Sequence, residues 1–118
     1  MLRLLLVIGL MLFASIARAE EVTVLDVTIA ERKIVGGVET LRVAEGANVE
    51  LRWSADEAVE LHLHGYEIAI QVPAGGTASM VFAAVATGRF PISHHGFGDT
   101  MGQEHSHGPI LYLEVYPK

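Results

Sequence analysis

Apolar and polar residues alternate along most of the chain after residue 21, the pattern of strands that bury one face. The segment ANVELRWSA at 47–55 places an apolar side chain at every second position, and EAVELHLHG at 57–65 does the same. Alternation or β-branched composition between Gly and Pro clusters also predicts strands at 22–30, 38–43, 66–72, 77–84, 88–95 and 109–117. The period is two throughout, so no helix is predicted.

The number and length of these segments indicate the fold class. Seven or eight short strands in a chain of 118 residues predict an all-β protein built as a Greek-key β-sandwich. The stretch 96–108 is the one long segment without strand character, and it holds four glycines. Long loops in compact domains are usually functional or disordered.

The first 19 residues have the features of a secretory signal peptide. Arg3 precedes an apolar core of ten residues, 4–13, and the segment ends in Ala17-Arg18-Ala19. This core is shorter than the roughly 20 residues that span a bilayer, although an uncleaved anchor is the alternative. We therefore expect a signal peptide at 1–19, one domain at 20–118, and a periplasmic or secreted location.

Charge and cysteine content exclude several kinds of function. Without the signal peptide, six basic residues stand against fourteen acidic ones. An acidic surface argues against nucleic acid and anionic membranes, because both are bound largely through cationic side chains, and it attracts metal cations. The chain has no cysteine, which removes thiolate metal sites, iron–sulfur clusters and cysteine nucleophiles.

All six histidines lie between positions 62 and 107. His62 and His64 are two apart on a predicted strand, so both side chains point to the same face and can reach one ion. His94 and His95, together with His105 and His107, flank the long loop. Each pair alone could consist of ordinary surface histidines or of histidines in a solvated loop. The presence of all six in one part of an exported domain favours a metal site.

Four other side chains near the histidines can each be interpreted in two ways. Met101 offers a thioether ligand for Cu(I), or else it packs against the end of the sandwich. Glu60 shares the strand face of His62 and either orients an imidazole or is a surface charge. Asp99 and Glu104 offer oxygen ligands, although solvated loop carboxylates are the simpler interpretation.

The late strands resemble the end of cupredoxin domains, in which a G-x-F-x-F-x-Cys strand precedes a ligand loop and a last strand closes the sandwich. The stretches that match are GRFPISHH and GPILYLEVYP, and HLHGYEI is similar to the H-x-H-G stretch of multicopper oxidases. The matching positions are Gly88, Phe90, Ile92, Gly108, Ile110, Leu111, Leu113 and Val115. The resemblance implies a cupredoxin-like sandwich.

The chain departs from that family where a blue-copper site would lie. His94 occupies the position of the cysteine, and Val59 stands where the upstream histidine is expected. A blue-copper centre requires the thiolate, so the resemblance implies a site of histidines only: His62, His64 and His95, with His94, His105 and His107 as further candidates. The oxidases draw histidines from several domains, so oxidase activity is not expected here.

Nitrogen ligands favour copper, as Cu²⁺ or Cu⁺, over zinc by the general affinity order. The sequence thus predicts a non-enzymatic, exported copper-binding protein for copper carriage, buffering or resistance. Its expected partners are the metal ion and another periplasmic copper or redox protein. Two alternatives remain open: a metal-free module that binds a partner or assists iron uptake, and a small metalloenzyme or electron-transfer protein.

Overall fold

A computed structural model describes residues 21–97 and 108–118. The described residues contain strands and turns, and no helix there is long and apolar enough to cross a membrane. Nine strands are present in these ranges: β1 Val22–Ala30, β2 Lys33–Ile34, β3 Thr40–Ala44, β4 Asn48–Ala55, β5 Val59–Leu63, β6 Ile68–Val72, β7 Thr77–Ala83, β8 Gly88–Phe97 and β9 Pro109–Tyr116.

The strands form two mixed sheets. One has the order β2-β1-β4-β7 and the other has the order β3-β9-β8-β5-β6. The pairs β1–β4 and β3–β9 are parallel, and the remaining pairs are antiparallel. The predicted all-β sandwich is confirmed. The described residues form nine strands rather than the seven or eight expected, because the two-residue strand β2 was not predicted.

The core lies between the inner faces of the sheets, which are the faces turned toward each other. The four-stranded sheet contributes Trp53 of β4 to this core, and the five-stranded sheet contributes Leu61 of β5 and Leu113 of β9. All three side chains are fully buried. Since apolar side chains fill every second position of these strands, the intervening residues face outward. This rule places the polar residues of β5 on the outer face of the five-stranded sheet.

Strand β2 belongs to a hairpin that sequence patterning missed. Its two-residue loop, Glu31–Arg32, has left-handed backbone at both positions, with φ of 52° and 63°. Such loops favour Asn-Gly or Gly-Gly, so two charged residues gave no turn signal. Residues of the β4–β5 turn hold the loop in place: Asp56 accepts a bond from the Glu31 amide at 3.0 Å, and Glu57 pairs with Arg32 at 3.0 Å.

The left-handed backbone at Glu31 makes a stabilising substitution available. We expect Glu31→Asn to raise the free energy of unfolding by up to about 1 kcal/mol, because asparagine adopts this conformation at lower steric cost. The bond to Asp56 uses the backbone amide of residue 31, so the substitution leaves it intact. Chemical denaturation of the two proteins measures the difference.

Glu39→Asn is the matched control, because it removes the same charge at an exposed position outside the left-handed region. We expect no comparable gain from it. An equal gain in both variants would assign the effect to reduced net negative charge rather than to backbone conformation.

Candidate metal centre

Strand β5 positions the first two predicted ligands. It lies between β6 and β8 in the five-stranded sheet, with Leu61 and Leu63 fully buried. His62 lies between these leucines, so its imidazole emerges on the outer face. His64 was expected on the same strand but is the first residue of the turn after β5, and its ring lies beside that of His62. The structure therefore brings together the two histidines that the sequence placed two residues apart.

The two imidazole rings are in contact. Their centroids are 4.1 Å apart and their planes are inclined by 43°. For metal–imidazole bonds of about 2.0–2.1 Å, two rings bound to one ion have centroids roughly 4.5 Å apart at an angle of about 90° and roughly 5 Å apart at a tetrahedral angle. The rings of His62 and His64, called the histidine pair below, lie somewhat closer together than that, and their binding of a single ion stays a prediction.

Each ring of the histidine pair has a polar neighbour at Nε2. The Nε2 atom of His64 forms a hydrogen bond of 2.7 Å with the hydroxyl of Ser93, the residue paired with His62 across β8. The Nε2 atom of His62 lies 3.5 Å from a carboxylate oxygen of Glu67. The glutamate is largely exposed, whereas the contact of His64 with Ser93 is partly buried and is the firmer of the two.

The turn after β5 holds this arrangement. Gly65 has φ of 88°, and a Cβ atom there would collide with the Phe90 ring, so only glycine fits. Glu67 also has left-handed backbone, with φ of 53°, and its carboxylate accepts a bond from the Gly65 amide at 3.3 Å. The Tyr66 hydroxyl donates to the carbonyl of Ala86 at 2.7 Å, which ties the turn to the β7–β8 connection.

The other two described histidines lie on opposite faces of β8. His95 is exposed and pairs with Glu60, which places it on the outer face with the histidine pair. His94 pairs with the buried Leu61, and its ring packs against Phe97 at 4.9 Å between centroids. His94 also lines a groove of about 370 Å³ next to Lys33 and Ile110.

The remaining candidates, His105 and His107 with Met101, Asp99 and Glu104, lie outside the described residues. Within 21–97 and 108–118, no three histidine or carboxylate side chains are arranged to hold one ion. The described part of the chain therefore brings two imidazoles together, and metal binding by these or by the other histidines stays a prediction.

Sequence reasoning missed Ser93 and Glu67 as neighbours of the histidine pair. Glu67 had a local signal, because it follows the H-x-H-G stretch at a turn. Ser93 had none, since it is 29 residues from His64 and meets it only through the pairing of β5 with β8. Glu60, considered earlier as an orienting group, lies opposite His95 and Gln71, and the carboxylate beside His62 belongs to Glu67.

No protein-family model matches this chain, and no curated protein sequence does either. Solved structures do share its fold. Copper nitrite reductase from Nitrosomonas europaea is 20% identical with a TM-score of 0.61, over 83% of this chain and 42% of that one. A copper-binding protein, solved in its apo form, is 10% identical with a TM-score of 0.59, over 85% and 93% of the two chains.

A multi-copper oxidase from Pseudomonas thermotolerans is 16% identical with a TM-score of 0.57, over 84% of this chain and 30% of that one. The chain thus spans less than half of the reductase and the oxidase, and nearly all of the small copper-binding protein. The fold of this chain is cupredoxin-like. At these identities the similarity establishes the architecture alone, and the ligands must be argued from the residues themselves.

The close approach of Gly65 to Phe90 leads to a stability prediction. Gly65→Ala should lower the free energy of unfolding by about 1–3 kcal/mol, because the new methyl group strains the backbone and meets the aromatic ring. Thermal or chemical unfolding followed by circular dichroism measures the loss.

Gly75→Ala is the control, since Gly75 also has left-handed backbone, with φ of 69°, but nothing lies within 4 Å of a Cβ atom there. It should cost less than Gly65→Ala by the contribution of the Phe90 contact. Equal losses would show that the ring moves aside freely and that the turn is not fixed by this contact.

Proposed function

We propose that this chain is an exported copper-binding protein that carries, buffers or sequesters copper through histidine ligands. The observation that carries the proposal is the contact of the His62 and His64 rings on the outer face of β5. Two imidazoles that touch on one face can supply two nitrogen ligands to one ion, which supports a shared metal site. His95 on the same face is the next ligand that we propose.

The shared fold supports copper as the metal. The structures that resemble this chain include a copper nitrite reductase, a multi-copper oxidase and a copper-binding protein. Nitrogen ligands rank Cu²⁺ above Zn²⁺ in affinity, so copper is the preferred occupant and zinc the second. Fourteen acidic residues in a chain of this size also favour the approach of a cation.

The ligand set supports binding rather than catalysis. The chain contains no cysteine, so the thiolate that a blue-copper electron-transfer site requires is lacking. The chain covers 42% of the reductase and 30% of the oxidase at 20% and 16% identity, so the activity of either whole enzyme is not carried over to it. We therefore propose that the protein is not an enzyme and that its partner is another copper or redox protein.

Export is supported by residues 1–19, which have the charge, apolar core and small-residue end of a secretory signal peptide. A periplasmic or secreted location also agrees with an acidic domain that lacks exposed thiols. In this compartment the copper sites would include the further histidines that we propose as ligands: His94, His105 and His107.

A second candidate function is a metal-free module that binds a protein partner or assists iron uptake. The observation that favours it is the lack of any three-donor cluster within the described residues. A cupredoxin-like sandwich is stable through its core alone, so the fold does not require an ion. The two candidates differ in whether added copper binds the folded protein.

Copper titration of the double variant His62→Ala/His64→Ala tests the proposal. We expect the wild-type protein to bind copper, in the Cu(I) or Cu(II) state, and the variant to lose at least tenfold in affinity, because two adjoining nitrogen ligands are removed. Electron paramagnetic resonance of the Cu(II) form should show nitrogen ligands, and its visible absorption should be weak.

Gln71→Ala is the matched control, because it truncates a polar side chain on the outer face of neighbouring β6. Its copper affinity should equal that of the wild-type protein. If the wild-type protein instead binds neither Cu(I) nor Cu(II), added copper leaves its melting temperature unchanged. This result would favour the metal-free module, because a ligand that binds only the folded state must raise the melting temperature.

A further inference from the structure

The hydrogen bond between His64 and Ser93 restricts how His64 can bind an ion. The hydroxyl oxygen lies 2.7 Å from Nε2, where a metal ion bound to Nε2 would otherwise lie. An ion at Nε2 would have to displace Ser93. The Nδ1 atom of His64 takes part in no hydrogen bond with the described residues, so it is the nitrogen left for a ligand.

The backbone holds this contact in place from both sides. The amide of His64 donates to the carbonyl of Pro91 at 3.0 Å, which fixes His64 to β8 two residues before Ser93. Ser93 itself is paired with His62 in the β5–β8 register. The hydroxyl and the imidazole are thus carried by two backbone segments that are hydrogen-bonded to each other, which brings the two side chains within reach of one another.

The position of the proton on the His64 imidazole decides which ring nitrogen can bind a metal ion. In a neutral imidazole one nitrogen carries the proton and the other has the lone pair. If Nε2–H donates to the Ser93 oxygen, the lone pair of Nδ1 is available without any rearrangement. Metal-binding histidines commonly donate their second N–H to a neighbouring oxygen, which sets both the tautomer and the orientation of the ring.

We infer that Ser93 is a positioning residue that holds His64 in the Nε2–H form, so that His64 binds copper through Nδ1. The inference rests on the proposed function for the identity of the ion. The tautomer of the metal-free protein, by contrast, can be measured without any metal. The two claims therefore have separate readouts.

The first readout is the protonation of His64 in the metal-free protein. Long-range proton–nitrogen correlation spectra of the ¹⁵N-labelled protein assign the proton of the neutral ring to one of its two nitrogens. We expect Nε2–H in the wild-type protein. In Ser93→Ala we expect a mixture of both tautomers, because the acceptor of the proton has been removed.

The second readout is copper affinity, measured with whichever copper ion the wild-type protein binds. Ser93→Ala should weaken binding by about 10-fold to 100-fold, the usual effect of removing an outer hydrogen-bond partner of a metal ligand. Ser93→Thr keeps the hydroxyl on a strand that accepts β-branched residues, so it should restore the wild-type affinity and the Nε2–H form.

Ser79→Ala is the matched control. Ser79 also lies on a strand and its hydroxyl also bonds a side chain, Glu50 at 3.0 Å, but on the opposite sheet. It should leave the copper affinity and the His64 tautomer unchanged. This control separates the loss of a particular hydrogen bond from a general loss of stability.

Two results would overturn the inference while leaving copper binding intact: an Nδ1–H tautomer for His64 in the wild-type protein, or unchanged copper affinity in Ser93→Ala. A wild-type protein that takes up no copper would instead remove the proposed function, and with it the role of Ser93 beside an ion. Copper titration of the wild-type protein, together with the spectra of the metal-free protein, distinguishes these cases.

Discussion

The pleat of strand β5 is the constraint on which the candidate site depends. Leu61 and Leu63 are fully buried between the sheets, and burial of two such side chains is worth several kcal/mol. Since successive side chains of a strand point to opposite faces, this burial forces His62 and His64 outward together. A shift of one residue in the pairing of β5 would bury both imidazoles and expose the leucines, so the core enforces the register that creates the histidine pair.

The turn that follows β5 connects the pair to the rest of the domain. Gly65 lets the chain turn beneath the Phe90 ring, and the rings of Phe82 and Phe90 each lie 5.0 Å from that of Tyr66. The Tyr66 hydroxyl binds both polar groups of the Ala86 backbone, at 2.7 and 3.1 Å. The histidines are therefore attached to a segment that is fixed by packing and hydrogen bonds. This rigidity is what a preorganised ligand pair requires.

The cupredoxin-like architecture and the ligand chemistry are separate properties of this chain. The fold is shared with copper proteins of very different size, including a reductase and an oxidase of which it spans less than half. Its own side chains supply imidazoles and carboxylates but no thiolate. A β-sandwich can host many kinds of site, so the fold by itself does not assign a metal to this chain. The hydroxyl of Ser93 and the carboxylate of Glu67 are the polar groups next to the two imidazoles.

Alternation of apolar and polar residues was enough to predict the strands and the common face of His62 and His64, because both follow from the local geometry of a strand. The sandwich followed from the number and length of those strands. The hairpin at Glu31–Arg32 was not predictable in this way, since its left-handed residues are held by Asp56 and Glu57 from another turn. Nor was the parallel pairing of β1 with β4, or the contact of His64 with Ser93. These features join residues far apart in the chain, and their free energy arises only when the sheets have formed. Side-chain periodicity is a property of a single strand, whereas the neighbours of each imidazole depend on which strands pair and in which register.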